Sequence, residues 1–357
     1  MSFTHPEVSA KLAAPYRHAS TSVVVLLTHD GRSTAALFGD PGVPQPCAPQ
    51  DVLFEIGSIT KVFTALLLAR LVVDGEIEPD RPIGEICPAF AGVPAWVTPS
   101  SLASHTSGLP RLHVPLWTLL VKGVPDDPYA DFTRDQLIAW MRAWRPARPP
   151  RTTSPRYSNL GFGLLGEVLA MSQGAEYDAL LRDKVLNPLG LTATSIALTS
   201  DQQRRFSTPH AASGRPVMPW TFRAMAGAGA LRSTAGDLAR LADHVVAALE
   251  HPATRLHRAI ALTASPVAGF GRKGLATPMA QCLGWISMTL GAADHRMLFH
   301  DGGTAGSTSA LYVCPRQRAA IIVLANRGVA ASMWSSLRLA RANPHRVAHD
   351  YFAALPP

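Results

Sequence analysis

The first hydrophobic segments of the chain are separated by a short polar turn in the manner of a β-hairpin. Ser22–Leu27 and Thr34–Gly39 are β-branched or apolar and are joined at His29-Asp30-Gly31, whose Asp-Gly step is typical of a hairpin turn. Four later segments have strand length and turn-rich connections, so we expect them to pair mostly antiparallel: Gly284–Leu290, His295–His300, Ser309–Val313 and Ala319–Ala325. The pattern therefore predicts strands near both ends of the chain.

Between these strands the apolar positions follow helical spacing. The run from Ser58 to Val73 is apolar on nearly every side and stops at Asp74-Gly75, which predicts a buried helix with a glycine after its end. Four further helical runs are interrupted by turn-rich and proline-containing segments: Phe132–Trp144, Phe162–Met171, Tyr177–Val185 and Ser233–Leu249, the last with Ser233 or Thr234 as its N-cap. A final helical stretch, about Ala330–Leu355, is expected to cover the sheet.

This distribution predicts an α/β (α+β) fold in which an antiparallel sheet is flanked by helices and built from both chain ends. The 357 residues exceed the ~250–300 at which a single core usually stops growing, which favours one large two-lobed unit or two domains. We expect residues 1–75 and 226–357 to form a discontinuous α/β lobe. Residues 76–225 would form an inserted, mostly helical lobe, with the active site in the cleft between the two.

The basic charge of the chain does not by itself indicate a nucleic-acid partner. The net charge is +8, from 33 Lys and Arg against 25 Asp and Glu, but the arginines are scattered. Their densest group lies in a proline-rich stretch that we interpret as a solvated loop: Arg142, Arg145, Arg148, Arg151 and Arg156. The longest apolar runs, such as Ala319–Ala325, fall far short of the ~18–20 residues of a membrane helix. We therefore expect neither nucleic acid nor membrane as a partner.

The start of the chain and the cysteines favour a cytoplasmic protein. Between Met1 and Arg32 the apolar run Val23–Leu27 is only five residues long, which argues against a secretory signal peptide. The four cysteines lie far apart without a C-x-x-C pair, as suits reduced thiols: Cys47, Cys87, Cys282 and Cys314. The sequence has no H-E-x-x-H or G-x-G-x-x-G motif, so we expect no metal and no cofactor.

An S-x-x-K motif, Ser58-Ile59-Thr60-Lys61, opens the helix expected to be buried. Residues three apart lie on one helix face, so the lysine amine can reach the serine hydroxyl. A serine needs a neighbouring base to become a nucleophile, and a desolvated lysine can serve as that base. The helix N-terminus would add backbone N–H groups where an oxyanion forms.

Two further motifs add candidate chemistry. Tyr157-Ser158-Asn159 is a Y-x-N motif just before a helical run, in which the tyrosine could relay a proton and the asparagine amide could bind a lysine or a carbonyl. His300-Asp301-Gly302-Gly303 follows a candidate strand and is expected to open a glycine-rich turn. Glycines there would let a backbone N–H approach an acyl oxygen closely.

With these three motifs in order, the chain resembles the serine β-lactamase and penicillin-binding protein superfamily. It is closest in type to class C β-lactamases, D-alanyl-D-alanine carboxypeptidases and family VIII esterases, and the resemblance runs from about Val23 to Gly328. It implies a β-lactamase/transpeptidase-like fold with Ser58 as the acylated nucleophile, Lys61 as its base partner and Tyr157 as the proton relay.

The resemblance also implies roles for the remaining motif residues. Asn159 would bind the substrate carbonyl or Lys61, and the backbone N–H groups of Ser58 and Gly303, next to Gly302, would form the oxyanion hole. His300 would stand where β-lactamases usually carry the lysine of K-T-G, which helps hold the β-lactam carboxylate. This departure argues against efficient β-lactamase activity.

The expected function is a serine hydrolase that cleaves a small ester or amide through an acyl-Ser58 intermediate. One alternative is an acyltransferase that passes the acyl group to an amine or alcohol, with the aromatic segment from Leu116 to Trp144 shielding the intermediate from water. A further alternative is a catalytically degenerate binding protein. Hydrolysis and transfer need the same nucleophile, so the sequence does not separate them.

Overall fold

An antiparallel sheet is the central element of the computed structural model, which describes residues 4–114, 127–146, 148–150, 155–269, 279–290, 295–328 and 344–355. Within these residues eight strands follow the order β2-β1-β10-β9-β8-β7-β6-β5. Their bounds are β1 Val23–His29, β2 Arg32–Phe38, β5 Ala268–Gly269, β6 Met279–Gln281, β7 Ile286–Leu290, β8 His295–Gly303, β9 Thr308–Cys314 and β10 Ala319–Ala325. A separate two-stranded sheet pairs β3 (Leu53–Glu55) with β4 (Arg232–Thr234).

The sheet joins the two ends of the chain. β1 pairs with β2 through a hairpin whose turn residues Asp30 and Gly31 both have positive φ, 48° and 73°, as a two-residue hairpin turn requires. On its other side β1 pairs antiparallel with β10, with Val23 opposite Ala325. The predicted fold class, an antiparallel sheet flanked by helices and built from both chain ends, is confirmed.

The described α-helices pack against both faces of the large sheet. The bounds of the α-helices are α1 His5–Ala13, α2 Thr60–Val73, α3 Ile83–Ile86, α4 Pro99–Ala103, α5 Arg134–Ala143, α6 Asn159–Ser172, α7 Tyr177–Leu181, α8 Ser200–Arg204, α9 Ala226–Gly229, α10 Ala235–Glu250, α11 Arg255–Ala264 and α12 Pro344–Ala354. A π-helical turn, Arg182–Leu186, continues α7. Thr234 is the N-cap of α10, because its side chain accepts a hydrogen bond from the Asp237 N–H.

Both faces of the sheet are covered, which explains why β1 is apolar along nearly its whole length. Val24 and Leu26 face the larger core, which includes residues of α2, α10 and α11. Val23, Val25 and Leu27 face a second core that contains residues of α1 and α12. The strand therefore contributes side chains to two apolar layers.

Several elements differ from the sequence expectations. The pattern did not predict α1, α11 or the short strands β5 and β6. Within the stretch expected to end the chain as a helix, α12 is described, whereas residues 330–343 lie outside the described residues. The glycine-rich turn expected from His300 through Gly306 begins only at Thr304, because β8 continues through Gly303. Antiparallel pairing with β9, from Leu298–Val313 to Gly303–Thr308, holds these residues in the strand.

The described residues between 76 and 225 contribute helices and no strand of the large sheet. The division into lobes at 75/76 and 225/226 stays a prediction. None of the helices in the described part of the chain has the length and apolar character needed to cross a membrane.

Candidate active site

The segment that carries Ser58 follows directly from β3. Gly57–Ile59 forms a single 3₁₀ turn, and α2 begins at Thr60. Gly57 has φ +47°, and a Cβ at this position would lie 2.7 Å from the backbone N of Gly303. Glycine is therefore required here both by its conformation and by the close approach of the end of β8.

Ser58 lies between two polar side chains. Its Oγ is 2.9 Å from Lys61 Nζ, one helical turn away, and 2.7 Å from Tyr157 Oη, 99 residues later in the chain. Lys61 Nζ also donates to the backbone oxygen of Ala228, at 2.7 Å. The structure thus brings together the serine, lysine and tyrosine of the first two motifs around one hydroxyl oxygen.

Burial changes the acid–base character of Lys61. Its side chain is fully buried, and desolvation holds the pKa of the ammonium well below its usual 10.5. The nearby Arg111 guanidinium lowers this pKa further, whereas the Asp301 carboxylate acts in the opposite direction. A lysine in this environment can be neutral and can accept the proton of Ser58.

The ring of His105 packs against the ring of Tyr157. The two rings lie 4.6 Å apart between centroids, and His105 Nδ1 accepts a hydrogen bond from the Ser158 N–H at 3.1 Å. Ser158 in turn caps α6, since its Oγ accepts from Gly161 N. Burial raises the pKa of Tyr157 above its usual value, so the phenol stays protonated and can act as a proton donor.

Asn159 has a hydrogen-bond partner that the sequence did not predict. Its Nδ2 donates to Tyr129 Oη at 2.8 Å, and its Oδ1 is buried with no hydrogen-bond partner among the described residues. Lys61 Nζ bonds Ser58 and the Ala228 carbonyl instead of Asn159. A contact of Asn159 with the substrate carbonyl stays a prediction.

His300 lines the same region, with its ring 6.4 Å from that of Tyr157. Its Nδ1 lies 2.7 Å from the Asp301 carbonyl oxygen, which can only accept, so Nδ1 carries the hydrogen. Burial lowers the pKa of the imidazole to about 4. At neutral pH the ring is therefore uncharged with its Nε2 lone pair unprotonated, unlike the cationic lysine of a K-T-G motif.

Gly302 and Gly303 bring the end of β8 against the nucleophile. A Cβ on Gly302 would lie 2.1 Å from the Ile56 oxygen and 2.9 Å from the Ser58 nitrogen. The backbone N–H groups of Ser58 and Gly303 consequently belong to two segments in direct contact. The expected role of these two N–H groups in binding the oxyanion of an acyl-transfer intermediate stays a prediction.

An aromatic cluster, which we call the aromatic wall, borders the site and was largely missed at the sequence level. It consists of Tyr129, Trp220 and Phe222, with ring centroids 5.0 to 5.8 Å apart. Phe222 packs over Gly229, where a Cβ would lie 2.9 Å from its ring. Tyr129 was a candidate for a shielding segment, but Trp117 of that segment lies outside the described residues. No motif marks Trp220 or Phe222, because only the fold brings them to Tyr129 and, for Phe222, to Gly229 of α9.

A metal centre would require a group of side chains that could bind the metal ion. Among the described residues, no group of three or more His, Cys, Asp or Glu side chains is arranged to hold a metal ion. The four cysteines are free thiols, and three of them are buried.

The fold is that of the class C β-lactamases. A class C β-lactamase from Rhodobacter sphaeroides superposes with a TM-score of 0.74 over 95% of this chain and all of that chain, at 24% sequence identity. A β-lactamase from Sulfitobacter sp. EE-36 gives a TM-score of 0.75 over 99% of both chains, at 23% identity.

The chain belongs to the Beta-lactamase family, whose family model matches residues 9–343. It is 25% identical over 329 residues to the D-alanyl-D-alanine-carboxypeptidase/endopeptidase AmpH of Escherichia coli (strain K12), covering 87% of this chain and 81% of that protein. It is 30% identical over 311 residues to penicillin-binding protein 4 of Amycolatopsis lactamdurans, covering 80% and 75%. The resemblance inferred from the three motifs is confirmed.

Proposed function

We propose that this protein is a serine hydrolase that cleaves a small ester or amide through an acyl-Ser58 intermediate. The observation that carries the proposal is the contact of one hydroxyl oxygen, Ser58 Oγ, with both a desolvated lysine amine and a protonated tyrosine hydroxyl. Membership of the Beta-lactamase family supports the same chemistry, since the relatives include a carboxypeptidase/endopeptidase.

In the proposed acylation step, neutral Lys61 Nζ takes the proton of Ser58 Oγ as that oxygen attacks the acyl carbon. The backbone N–H groups of Ser58 and Gly303 bind the resulting oxyanion. The bond from the acyl carbon to the leaving nitrogen or oxygen then breaks, and Tyr157 Oη donates its proton to the leaving group. The Lys61 ammonium returns a proton to the tyrosine, so both side chains regain their starting states.

Deacylation repeats the same proton transfers with water as the nucleophile. Neutral Lys61 accepts the proton of a water molecule that attacks the acyl carbon, Tyr157 Oη donates its proton to Ser58 Oγ as the acid leaves, and the Lys61 ammonium then reprotonates Tyr157. The proposed substrate is a small-molecule acyl donor. A transfer of the acyl group to an amine or alcohol would use identical steps with a different acceptor in place of water.

The nucleophile is tested by Ser58→Ala. We expect this variant to lose turnover of an activated ester and labelling by a serine-directed phosphonate, because Ser58 is the hydroxyl in contact with both Lys61 and Tyr157. Intact-protein mass spectrometry and peptide mapping of the wild type measure the site of labelling. Thr64→Ala, which removes a hydroxyl one turn further along α2, is the control. Labelling of Ser58→Ala at the wild-type rate would refute the assignment.

A further inference from the structure

A buried carboxylate three residues before the nucleophile takes no part in the proposed proton transfers. Glu55, the last residue of β3, is only 4% exposed. Burial raises the pKa of its carboxyl group, and hydrogen bonds together with the nearby Arg232 guanidinium act against that rise. Keeping a carboxylate at such a position costs free energy unless its partners compensate, so the partners identify what it does.

One oxygen of Glu55 holds the segment that carries the aromatic wall. Glu55 Oε1 accepts a hydrogen bond from the Trp220 N–H at 2.7 Å. Arg232, the cross-strand partner of Glu55 in the β3–β4 pair, donates from its guanidinium to the Trp220 carbonyl at 2.9 Å. The backbone of Trp220 is therefore clamped on both sides by one pair of oppositely charged side chains.

The other oxygen of Glu55 holds the turn that follows Gly303. Thr304 Oγ1 donates to Glu55 Oε2 at 2.8 Å, and Ser307 Oγ donates to the same oxygen at 3.4 Å. Thr304 Oγ1 also accepts from the N–H groups of Gly306 and Ser307, which closes the turn. The position of the Gly303 N–H is thus tied to the carboxylate that precedes Ser58.

An ionised carboxylate satisfies all these partners, because both of its oxygens can only accept. The Trp220 N–H can only donate, and the Thr304 hydroxyl already accepts two N–H groups and has only its proton left to offer. A glutamine at position 55 would direct its NH₂ group at one of these two donors.

We propose that Glu55 is a positioning residue that sets the oxyanion-binding N–H of Gly303 and the aromatic wall relative to Ser58 through a single carboxylate. The proposal rests on the proposed function, because it assigns Glu55 a part in acylation at Ser58. It extends that function by coupling two parts of the site: a displacement of the Trp220 segment is transmitted to the Gly303 turn through Glu55.

The central test compares Glu55→Gln with Glu167→Gln. Glu167 is a second buried carboxylate, which pairs with Arg134 on the helical side of the molecule, so its variant measures the general cost of losing a buried charge. We expect Glu55→Gln to lower kcat and the phosphonylation rate of Ser58 by about 10²-fold, as a misplacement near 1 Å does, with little change in KM. Glu167→Gln should change thermal stability and leave both rates within about twofold of the wild type.

Thr304, which donates a hydrogen bond to Glu55, provides a second test. Thr304→Ser keeps the hydroxyl and should retain the wild-type rate, whereas Thr304→Val should reproduce the loss seen in Glu55→Gln. The double variant Glu55→Gln/Thr304→Val should lose little more than either single variant, because both remove the same hydrogen bond. If Glu55→Gln does not fold, a wild-type phosphonylation rate in Thr304→Val would by itself overturn the proposal.

Hydrogen exchange gives a readout that does not depend on catalysis. In Glu55→Gln we expect faster amide exchange in both residues 218–223 and residues 303–308, and no such change in Glu167→Gln. Wild-type phosphonylation rates, or exchange raised in only one segment, would overturn the role of Glu55 while leaving Ser58 as the nucleophile. A wild type that is not labelled at Ser58 would instead refute the proposed function, and coupled exchange would still report whether Glu55 links the two segments.

Discussion

Burial lowers the pKa of two basic side chains of the same site, Lys61 and His300. For Lys61, desolvation lowers the pKa of a group that is normally cationic, which makes the amine available as a base. For His300, burial lowers the pKa to about 4, and the hydrogen bond from Nδ1 to the Asp301 carbonyl leaves Nε2 as an acceptor. The site therefore contains a neutral imidazole at His300 rather than a cationic side chain.

The lowered pKa of Lys61 predicts the pH dependence of acylation. The proposed acylation uses neutral Lys61, so kcat/KM should be lost as the pH falls through the lowered pKa of Lys61 and should be fully present well below pH 10.5. The measurement is a pH profile with an uncharged activated ester. His300→Asn should keep the acidic limb set by Lys61, because the proposed base is the Lys61 amine and not the imidazole. A limb that disappears in His300→Asn would assign the titration to the imidazole.

The proposed role of Tyr157 also depends on its protonation state. Because its raised pKa keeps the phenol protonated, Tyr157→Phe removes a proton donor while retaining the ring that packs on His105. We expect kcat to fall by about 10²–10⁴ on a donor whose acylation is rate-limiting, with an unchanged melting temperature. A loss of only about threefold would mean that Lys61 transfers the proton without the tyrosine.

At the scale of elements, the end of β8 is the part of the sheet that completes the site. It runs straight past the Gly57–Ile59 turn, and glycine at 302 leaves room for the Ile56 carbonyl. Ser309 Oγ, on the neighbouring strand β9, donates to that same carbonyl at 2.8 Å. Strand, turn and helix α2 are thereby locked in one arrangement around the Ser58 N–H.

Gly302→Ala tests this close approach. The added Cβ would lie 2.1 Å from a backbone oxygen and 2.4 Å from Ser309 Oγ, so β8 must move away from the nucleophile turn. We expect a destabilisation of about 1–3 kcal/mol, measured by thermal or denaturant unfolding, together with a larger relative loss of phosphonylation at Ser58. Gly269→Ala in β5 is the matched control, because a Cβ there meets nothing within 4 Å. Equal effects of the two substitutions would contradict the packing argument.

At the scale of the whole molecule, the site draws on segments from the entire chain. Ser58 and Lys61 come from the N-terminal part, Tyr157 from the helical stretch between the sheet segments, and Gly303 from the C-terminal strands. The aromatic wall adds an apolar border beside Asn159. How far this enclosure excludes water determines whether the acyl group is hydrolysed or transferred.

Partitioning of the acyl group measures that exclusion. With an ester donor and graded concentrations of primary amines and alcohols, we expect free acid to be the dominant product, because the proposed function is hydrolysis. Product analysis by mass spectrometry counts free acid against amide or transesterified product, with Ser58→Ala as the blank. An acceptor that captures most of the acyl group at millimolar concentration would replace hydrolase with acyltransferase.

The sequence alone determined the features that depend on neighbours along the chain. Two β-branched or apolar segments joined by an Asp-Gly step specify the hairpin β1–β2. A run that is apolar on nearly every side specifies the buried helix α2. The i, i+3 spacing of Ser58 and Lys61 brings hydroxyl and amine together on one helical face, as the 2.9 Å contact shows. These outcomes follow from backbone geometry within a few residues, so local pattern is sufficient to predict them.

Only the tertiary structure decided which distant groups meet. The Ala228 carbonyl that binds Lys61 is a backbone atom with no signature in the sequence, and the pairing of β8 with β9 made a strand of the expected turn at His300. The three donors around Glu55 come from segments about 165 to 252 residues away. Such contacts form because burial leaves polar groups that must be satisfied by whatever the fold brings near them.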